Sequence, residues 1–461
     1  MATVQPSDIV EKPPQLTVES FIRMKWYALR VLLLAEFIVL GAAGNMIYMI
    51  YAGAAPKSVS CNGENVSIVD ICKTNPSDWR YQDCDWTPRY EFRSVNVEFE
   101  HLCAEKAYVK TSISIQMAGV LLGAVFWGHI SDTFGRKTAL MYTVTATSLL
   151  SLACSFSWDL MSFTIMRTIM AFFNGGSLAV YAVYKTEHLT KKHRFIIASL
   201  IAWSPNLILV NGIAYLCGDW RTLQRALFAA SSPALLLFFF VYESPRFLIQ
   251  RGRLDEARDV LSKIQEIDGV SSLKKEDMNR MINDEHERQI QRQNKTKRYN
   301  YSHLLRIKDL RIPSAVFCVG IMSISMSSFG ILYSLDALSG SLFVNSLYLG
   351  LLRLSVNILC GLADVKFPWL GRRILHSGTL GTIATMMAVM AIVNFSGIAE
   401  EFANVVRVCT LIAAACFSQL FITKEMAGME YFPTPIRNSA ISVMAMSNRL
   451  GSVLAPLVFL Y

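Results

Sequence analysis

Apolar runs of about twenty residues recur along the chain, separated by short polar turns. A helix needs roughly 20 predominantly apolar residues to cross a hydrocarbon core about 30 Å thick. On that measure helices are predicted over residues 29–52, 109–130, 138–158, 160–184, 196–216, 226–242, 313–335, 341–363, 374–395, 402–424 and 437–461. Two longer polar stretches interrupt the series, 53–107 after the first helix and 243–310 after the sixth. The pattern divides the chain into a polar segment 1–26, a six-helix half 27–242, a linker 243–310 and a second half 311–461 with about five helices. The first apolar run is too long for a signal peptide and has no small-residue cleavage site behind it.

Composition agrees. Of the 461 residues 53% are hydrophobic and 17% charged, where soluble domains carry about a quarter charged residues. An all-α, multi-pass protein of the lipid bilayer is expected. The net charge of +9 calls for no nucleic acid, because the basic residues follow a topological rule. Arg136-Lys137, Lys191-Lys192-His193-Arg194, Arg372-Arg373 and Arg437 fall in alternate short loops, on the same side as the basic linker. An excess of Lys and Arg marks the cytoplasmic face, so the N-terminus and linker are placed in the cytosol and 53–107 outside. In the linker Leu254, Ala257, Leu261 and Ile264 recur at helical spacing, which predicts an amphipathic helix under the bundle. The charged stretch beyond it lacks a clear apolar stripe and reads as solvated linker or helix.

The outer loop holds Cys61, Cys72, Cys84 and Cys103. Four cysteines in one extracytosolic loop fit two disulfides, in one of three pairings. The other six lie in spans and read as buried fillers. Asn65-Val66-Ser67 is a glycosylation sequon on the face where it would be used.

Enzyme chemistry has no support. No GxxxxGK[ST], HExxH, GxSxG or paired CxxC occurs, so phosphate-cradling, zinc-hydrolytic and acyl-transfer sites are not expected, nor any cofactor. The seven histidines are scattered, and His376 reads as a packed helix residue rather than a metal ligand.

A repeated loop stands out instead. "GHISDTFGRK" (Gly128 to Lys137) follows the second span and "GLADVKFPWLGRR" (Gly361 to Arg373) the eighth. Each has a helix-ending acid, Asp132 or Asp364, then Gly135-Arg136-Lys137 or Gly371-Arg372-Arg373. The carboxylate and the guanidinium can bridge helices while glycine permits the tight turn. Two copies six spans apart indicate two similar halves, as in transporters built from repeats.

With "SVNVEFEHLC" before the second span, "DWRTLQ" before the sixth, "ESPRFLIQRGRLDEA" after it and "EYFPTPIRN" before the eleventh, the chain resembles the major facilitator superfamily. Within it the likeness is to the organic cation, organic anion and carnitine transporters, solute carrier family 22. The resemblance covers nearly the whole chain. It implies two six-helix halves rocking about a midplane site in the plasma membrane, latched by the loop residues together with Glu187, Glu243, Arg246, Glu430 and Arg437. Departures are Thr133 in place of a basic residue, Met170-Ala171 where Gln-Gly often follows Arg167, and a short outer loop. The family has twelve spans, so the last helix is expected to be missing here.

Arg449 lies 12 residues after Arg437, about 18 Å along the helix and near the bilayer midplane. An arginine there costs roughly 2.5–3.5 kcal/mol to insert, so it should face a protein cavity. Ser442, Ala445 and Ser452 share its face. By the resemblance, an Arg rather than an Asp at this place implies an anionic or zwitterionic substrate such as carnitine. Arg353 in the eighth span supports the same sign. Tyr48, Tyr333 and Tyr348 are candidates to stack on an aryl group, and Glu36 and Glu425 to hold a proton or coupling ion. The expected function is alternating-access transport of small organic ions, with a coupling ion or exchanged anion as further partner. The competing readings are an organic cation carrier, a sugar-type facilitator and a non-transporting truncated paralogue acting as receptor or scaffold. The sugar reading lacks amides in the seventh span, Val316 to Leu335.

Overall fold

The structure, a computed structural model, describes residues 18–21, 24–56, 58–61, 64–67, 86–101, 106–189, 203–269, 275–295, 304, 306–367, 371–398 and 400–458. Each of the eleven predicted spans is helical over most or all of its described residues. In the first half α1 is Trp26–Ile47, running on through Met49–Ala52, and the strands β1 (Ser58–Cys61), β2 (Glu64–Ser67) and β3 (Trp86–Arg89) follow it. Next come α2 (Lys106–Phe134), α3 (Arg136–Cys154), α4 (Leu160–Glu187), α5 (Trp203–Cys217) and α6 (Trp220–Ser231, extended to Phe240). The linker forms α7 (Pro245–Gln250), α8 (Leu254–Ile267) and α9 (Lys275–Lys295). The second half is α10 (Lys308–Leu332), α11 (Leu342–Lys366), α12 (Gly371–Phe395), α13 (Ala403–Tyr431) and α14 (Thr434–Val458).

Among the described residues nine helices are long and apolar enough to cross a membrane. The described part of α5 has only 15 residues. Helix α3 falls below the mark because its buried face carries hydroxyls, Thr143, Thr147, Ser148 and Ser151. Thr143 bonds back to the Ala139 carbonyl and Ser151 donates to the Gln224 carbonyl of α6. Inside a bundle such groups are satisfied across helices and need no lipid-compatible surface.

Local chemistry sets several helix ends. Asp159 accepts from the Ser162 amide at 2.7 Å in a capping box that starts α4, and Asp219 does the same for α6 through Thr222. Each satisfies an amide that the first helical turn leaves open. Helices α2 and α4 pack backbone to backbone, since a Cβ on Gly123 would overlap the Phe172 carbonyl and one on Gly175 the Val120 carbonyl.

The outer loop corrects the all-helical expectation locally. Strands β1, β2 and β3 form an antiparallel sheet in the order β2-β1-β3, with Ser58 opposite both Ser67 and Arg89. Four-residue strands are too short to show an alternating pattern. Asn65 lies on β2, opposite Ser60. Cys72, Cys84, Cys103 and the Cys61 side chain lie outside the described residues, as does the basic cluster 191–194. The span cysteines Cys154, Cys217, Cys318, Cys360, Cys409 and Cys416 are free thiols.

The linker helices share a core with Val18 and Phe21, built from Phe247, Leu248, Ala257, Leu261, Met278, Met281 and Ile282. The amphipathic reading of α8 holds, with Ala257, Leu261 and Ile264 fully buried. Helix α9, expected to be solvated, buries Met278, Met281 and Ile282 on one face. A stripe that narrow is lost among its charges.

Candidate functional site

At the linker end, the turn between α2 and α3 carries a closed polar network. Gly135 has φ 119°, a conformation that suits glycine, and a Cβ there would strike the Glu243 carboxylate. Glu243 accepts from the amides of Arg136 and Lys137, each at 3.0 Å, and so caps α3 from the far side of α6. Arg136 donates to Asp132 at 2.7 Å and to the Ser131 carbonyl at 2.9 Å, stands 3.5 Å from Glu187 and lies over the Phe247 ring. Arg251 binds the Asp132 carbonyl. These contacts of Asp132, Gly135, Arg136, Lys137, Glu187 and Glu243 all fall within the first half and its linker. The sequence expected a latch between halves, and the structure places these groups as a clamp that ties α2, α3 and α4 to α7.

The second copy is less fully described. The side chains of Asp364, Gly371 and Arg372 lie outside the described residues, and Arg373 is exposed. Arg437 donates to the Phe432 carbonyl at 3.2 Å, closing the end of α13, while Glu430 is exposed and Arg246 half-buried. Gly128 has open space where a side chain would stand.

Beside this network His188 is fully buried, its Nδ1 2.9 Å from the Tyr184 carbonyl and its ring against Tyr184 and Tyr27. Burial pushes the imidazole down to about 4, whereas the unfolded group titrates near 6.5. The unfolded chain therefore binds the extra proton first, and the contribution of neutral His188 is lost as pH falls from about 6.5 toward 4. Purified protein should lose about 2 kcal/mol between pH 7 and pH 5 from this group, at about 1.4 kcal/mol per unit. His188→Phe should flatten that part of the thermal-midpoint profile, and an unchanged slope would count against it.

Midway along the bundle, charged groups line the seam between halves. On α11 Ser346 meets the Tyr51 hydroxyl at 2.8 Å, Gly350 packs on Ile208, and Asn357 reaches Ser204 at 3.5 Å. Arg353 falls on the same helical face as these three, and so points at the first half. Its Nε is buried with no hydrogen-bond partner, and no charged group is coupled to it among the described residues. Arg449 on α14 is half-buried and couples electrostatically to the Tyr333 hydroxyl and to Glu425, which is exposed. Across the seam, Glu36 of α1 accepts from Asn206 of α5 at 3.2 Å and couples to Lys185 of α4.

The tyrosines separate. Tyr333 sits between halves, its hydroxyl 3.4 Å from the Met46 carbonyl. Tyr48 lies in the core of the first half, completely buried and bonded to the Trp220 carbonyl. Tyr348 is exposed on another face of α11 from Arg353, with Arg407 over its ring. His376 packs as expected, 3.3 Å from Thr423.

One cation escaped prominence in the sequence. Arg167 of α4 is 2% exposed, yet every group it touches is neutral. It donates to the Asn45 carbonyl at 2.6 Å, to Gln116 at 3.2 Å and to Gln224 at 3.4 Å, and stacks 4.5 Å from the Tyr48 ring. The available signal was the set of amides, Asn45, Gln116 and Gln224, in otherwise apolar spans.

At the sheet end the halves are shut. Tyr51 stacks on Phe343 at 5.7 Å and packs against Phe92, and Leu335, Leu342 and Leu349 join the core of the first half. The two halves therefore touch through buried apolar and aromatic groups above the charged seam.

Comparison with known proteins matches this architecture. The profile of the family described as "Sugar (and other) transporter" matches residues 36–461. Solute carrier family 22 member 7 of Bos taurus is 27% identical over 391 residues, 84% of this chain and 68% of that protein. Organic cation/carnitine transporter 2 of Mus musculus is 26% identical over 366 residues, 79% of this chain and 63% of the relative. An inward open conformation of the xylose transporter XylE from E. coli superimposes with a TM-score of 0.64 at 17% identity, covering 94% of this chain and 90% of that one.

Proposed function

Because the chain belongs to the sugar (and other) transporter family of the major facilitator superfamily, and is a multi-pass membrane transporter rather than an enzyme, we propose that it carries small organic anions or zwitterions by alternating access. The observation that carries the substrate sign is Arg353, a guanidinium with an unpartnered buried nitrogen on the face of α11 that meets the other half. Arg449 supplies a second cation in the same half. A planar guanidinium matches a carboxylate or sulfate bidentately, and an arriving anion would meet the bonding capacity that the protein leaves open.

The likeness to solute carrier family 22 supports an organic-ion substrate, and the basic linker supports a cytosolic placement of that end in the plasma membrane. The sheet end then faces outward, and closure there corresponds to an inward-facing state. A coupling ion or an exchanged anion completes the cycle. Glu36 and the exposed Glu425 support the second reading, an organic cation carrier.

Radiolabelled uptake into cells, at verified surface abundance, separates these. An aromatic carboxylate or carnitine is expected to accumulate above mock-transfected cells and a hexose is not. Uptake of a quaternary ammonium compound alone would favour the cation reading, and uptake of none would favour a non-transporting form.

A further inference from the structure

We propose that Glu91 and Asp336 form the outer latch of the transport cycle, each half holding a backbone amide of the other with one carboxylate until the site opens outward. The inference rests on the alternating-access reading above. Glu91 follows β3 in the loop of the first half. Its Oε2 accepts from the Ser341 hydroxyl at 2.6 Å and from the Leu342 amide at 2.9 Å, the first residue of α11. A helix start leaves its amides open and carries the positive end of the helix dipole, so a carboxylate fits there. Ser341 occupies the capping position of α11 but makes no side-chain cap of its own. Its hydroxyl is turned to Glu91 instead, so capping of this helix depends on the opposite half.

The reverse contact mirrors it. Asp336, in the turn between α10 and α11, accepts from the amide of Ala55 just beyond α1 at 3.1 Å. Ala55, Arg89, Glu91, Asp336 and Leu342 line a cavity of about 320 Å³ between the halves. Glu91 is exposed and Ser341 half-buried, whereas Tyr51 and Phe92 beneath them are buried. The arrangement has two layers, an aromatic plug and above it a polar latch that water can reach. Hydrogen bonds of this kind are weak in net terms because water replaces them. That suits contacts broken and remade in every cycle, where a buried ion pair would be too costly to part.

The test reads accessibility rather than transport. Leu349 is 1% exposed and lies two turns below Leu342 on α11. In cells expressing the full chain with Leu349→Cys, the rate of modification by a membrane-impermeant thiol reagent is measured, with the chain lacking that cysteine as background. Adding Glu91→Ala and Asp336→Ala should raise the rate about tenfold, which is 1.4 kcal/mol on the gate equilibrium. An unchanged rate at normal surface abundance would overturn the latch. Should the double variant fail to reach the surface, Ala55→Cys with Asp336→Cys serves instead. Oxidation should then suppress labelling at position 349 and reductant restore it, and labelling indifferent to the cross-link would overturn the proposal. A full labelling response without uptake of any organic ion would support the latch and count against the carrier reading.

Discussion

Arg449→Asp is expected to reduce uptake of an aromatic carboxylate at least thirtyfold, with surface abundance retained. The substitution removes a cation from the seam and sets a carboxylate near Glu425, with which Arg449 is coupled. Loss of the cation that a bound carboxylate would pair with, away from water, costs about 2–5 kcal/mol, and 1.4 kcal/mol is a factor of ten. The alternative role for Arg449 is to neutralise Glu425 and nothing more. The exchanged pair Arg449→Glu with Glu425→Arg distinguishes the two, because it restores the internal pairing while moving the positive charge to another helix. If Arg449 contacts the substrate, the exchanged variant stays inactive. If it recovers most of the uptake, Arg449 is structural. Arg353→Gln offers an independent check, since no carboxylate among the described residues is coupled to Arg353, and loss of anion uptake there at normal surface abundance would point to the missing cation.

The second large effect concerns stability. Arg167→Met should destabilise the first half by about 3 kcal/mol, since it takes the donor from the buried side-chain oxygens of Gln116 and Gln224, at about 1–3 kcal/mol for each unsatisfied one and offset in part by relaxation, while Asn45 keeps the Gln224 amide as a donor. Asn45, Gln116 and Gln224 belong to α1, α2 and α6; Gln224 donates to Asn45 directly, and Arg167 of α4 donates to all three. The cation–π contact with Tyr48 is lost as well. Thermal unfolding of detergent-solubilised protein should show a clearly lowered midpoint, and surface expression should fall with it. A midpoint equal to that of the unaltered chain would mean that water satisfies these amides and that Arg167 is held for transport rather than for folding.

The bundle was legible because a lipid solvent simplifies the problem. Every span must satisfy its own backbone as a helix, so the hydropathy of α1 and α2 placed them within about four residues, whereas α13 runs seven residues past its predicted end at 424. Even α3 was found, despite its hydroxyls, because its apolar run follows the Gly135-Arg136-Lys137 turn. The repeated Asp-Gly-Arg loops announced two related halves. Arg353 and Arg449 stood out for the same reason: a cation in an apolar run demands an explanation whatever the fold.

Partnership was not legible. The sequence assigned Asp132, Arg136 and Glu243 to a latch between halves, and in this state they close on one another within the first half, a set of contacts that no local pattern announced. It offered Tyr48 as a substrate contact, and packing against Arg167 and Trp220 seals it in a core. Glu91 gave no signal at all, lying in a loop 250 residues from Ser341. Periodicity reports which face of a helix is apolar, but two carboxylates of equal local character differ only in what stands opposite them. The residues alone determined a helical membrane protein in two halves with cations at mid-depth. Tertiary structure decided which charges meet, because burial and distance, which set the strength of every polar contact, exist only once the helices are packed.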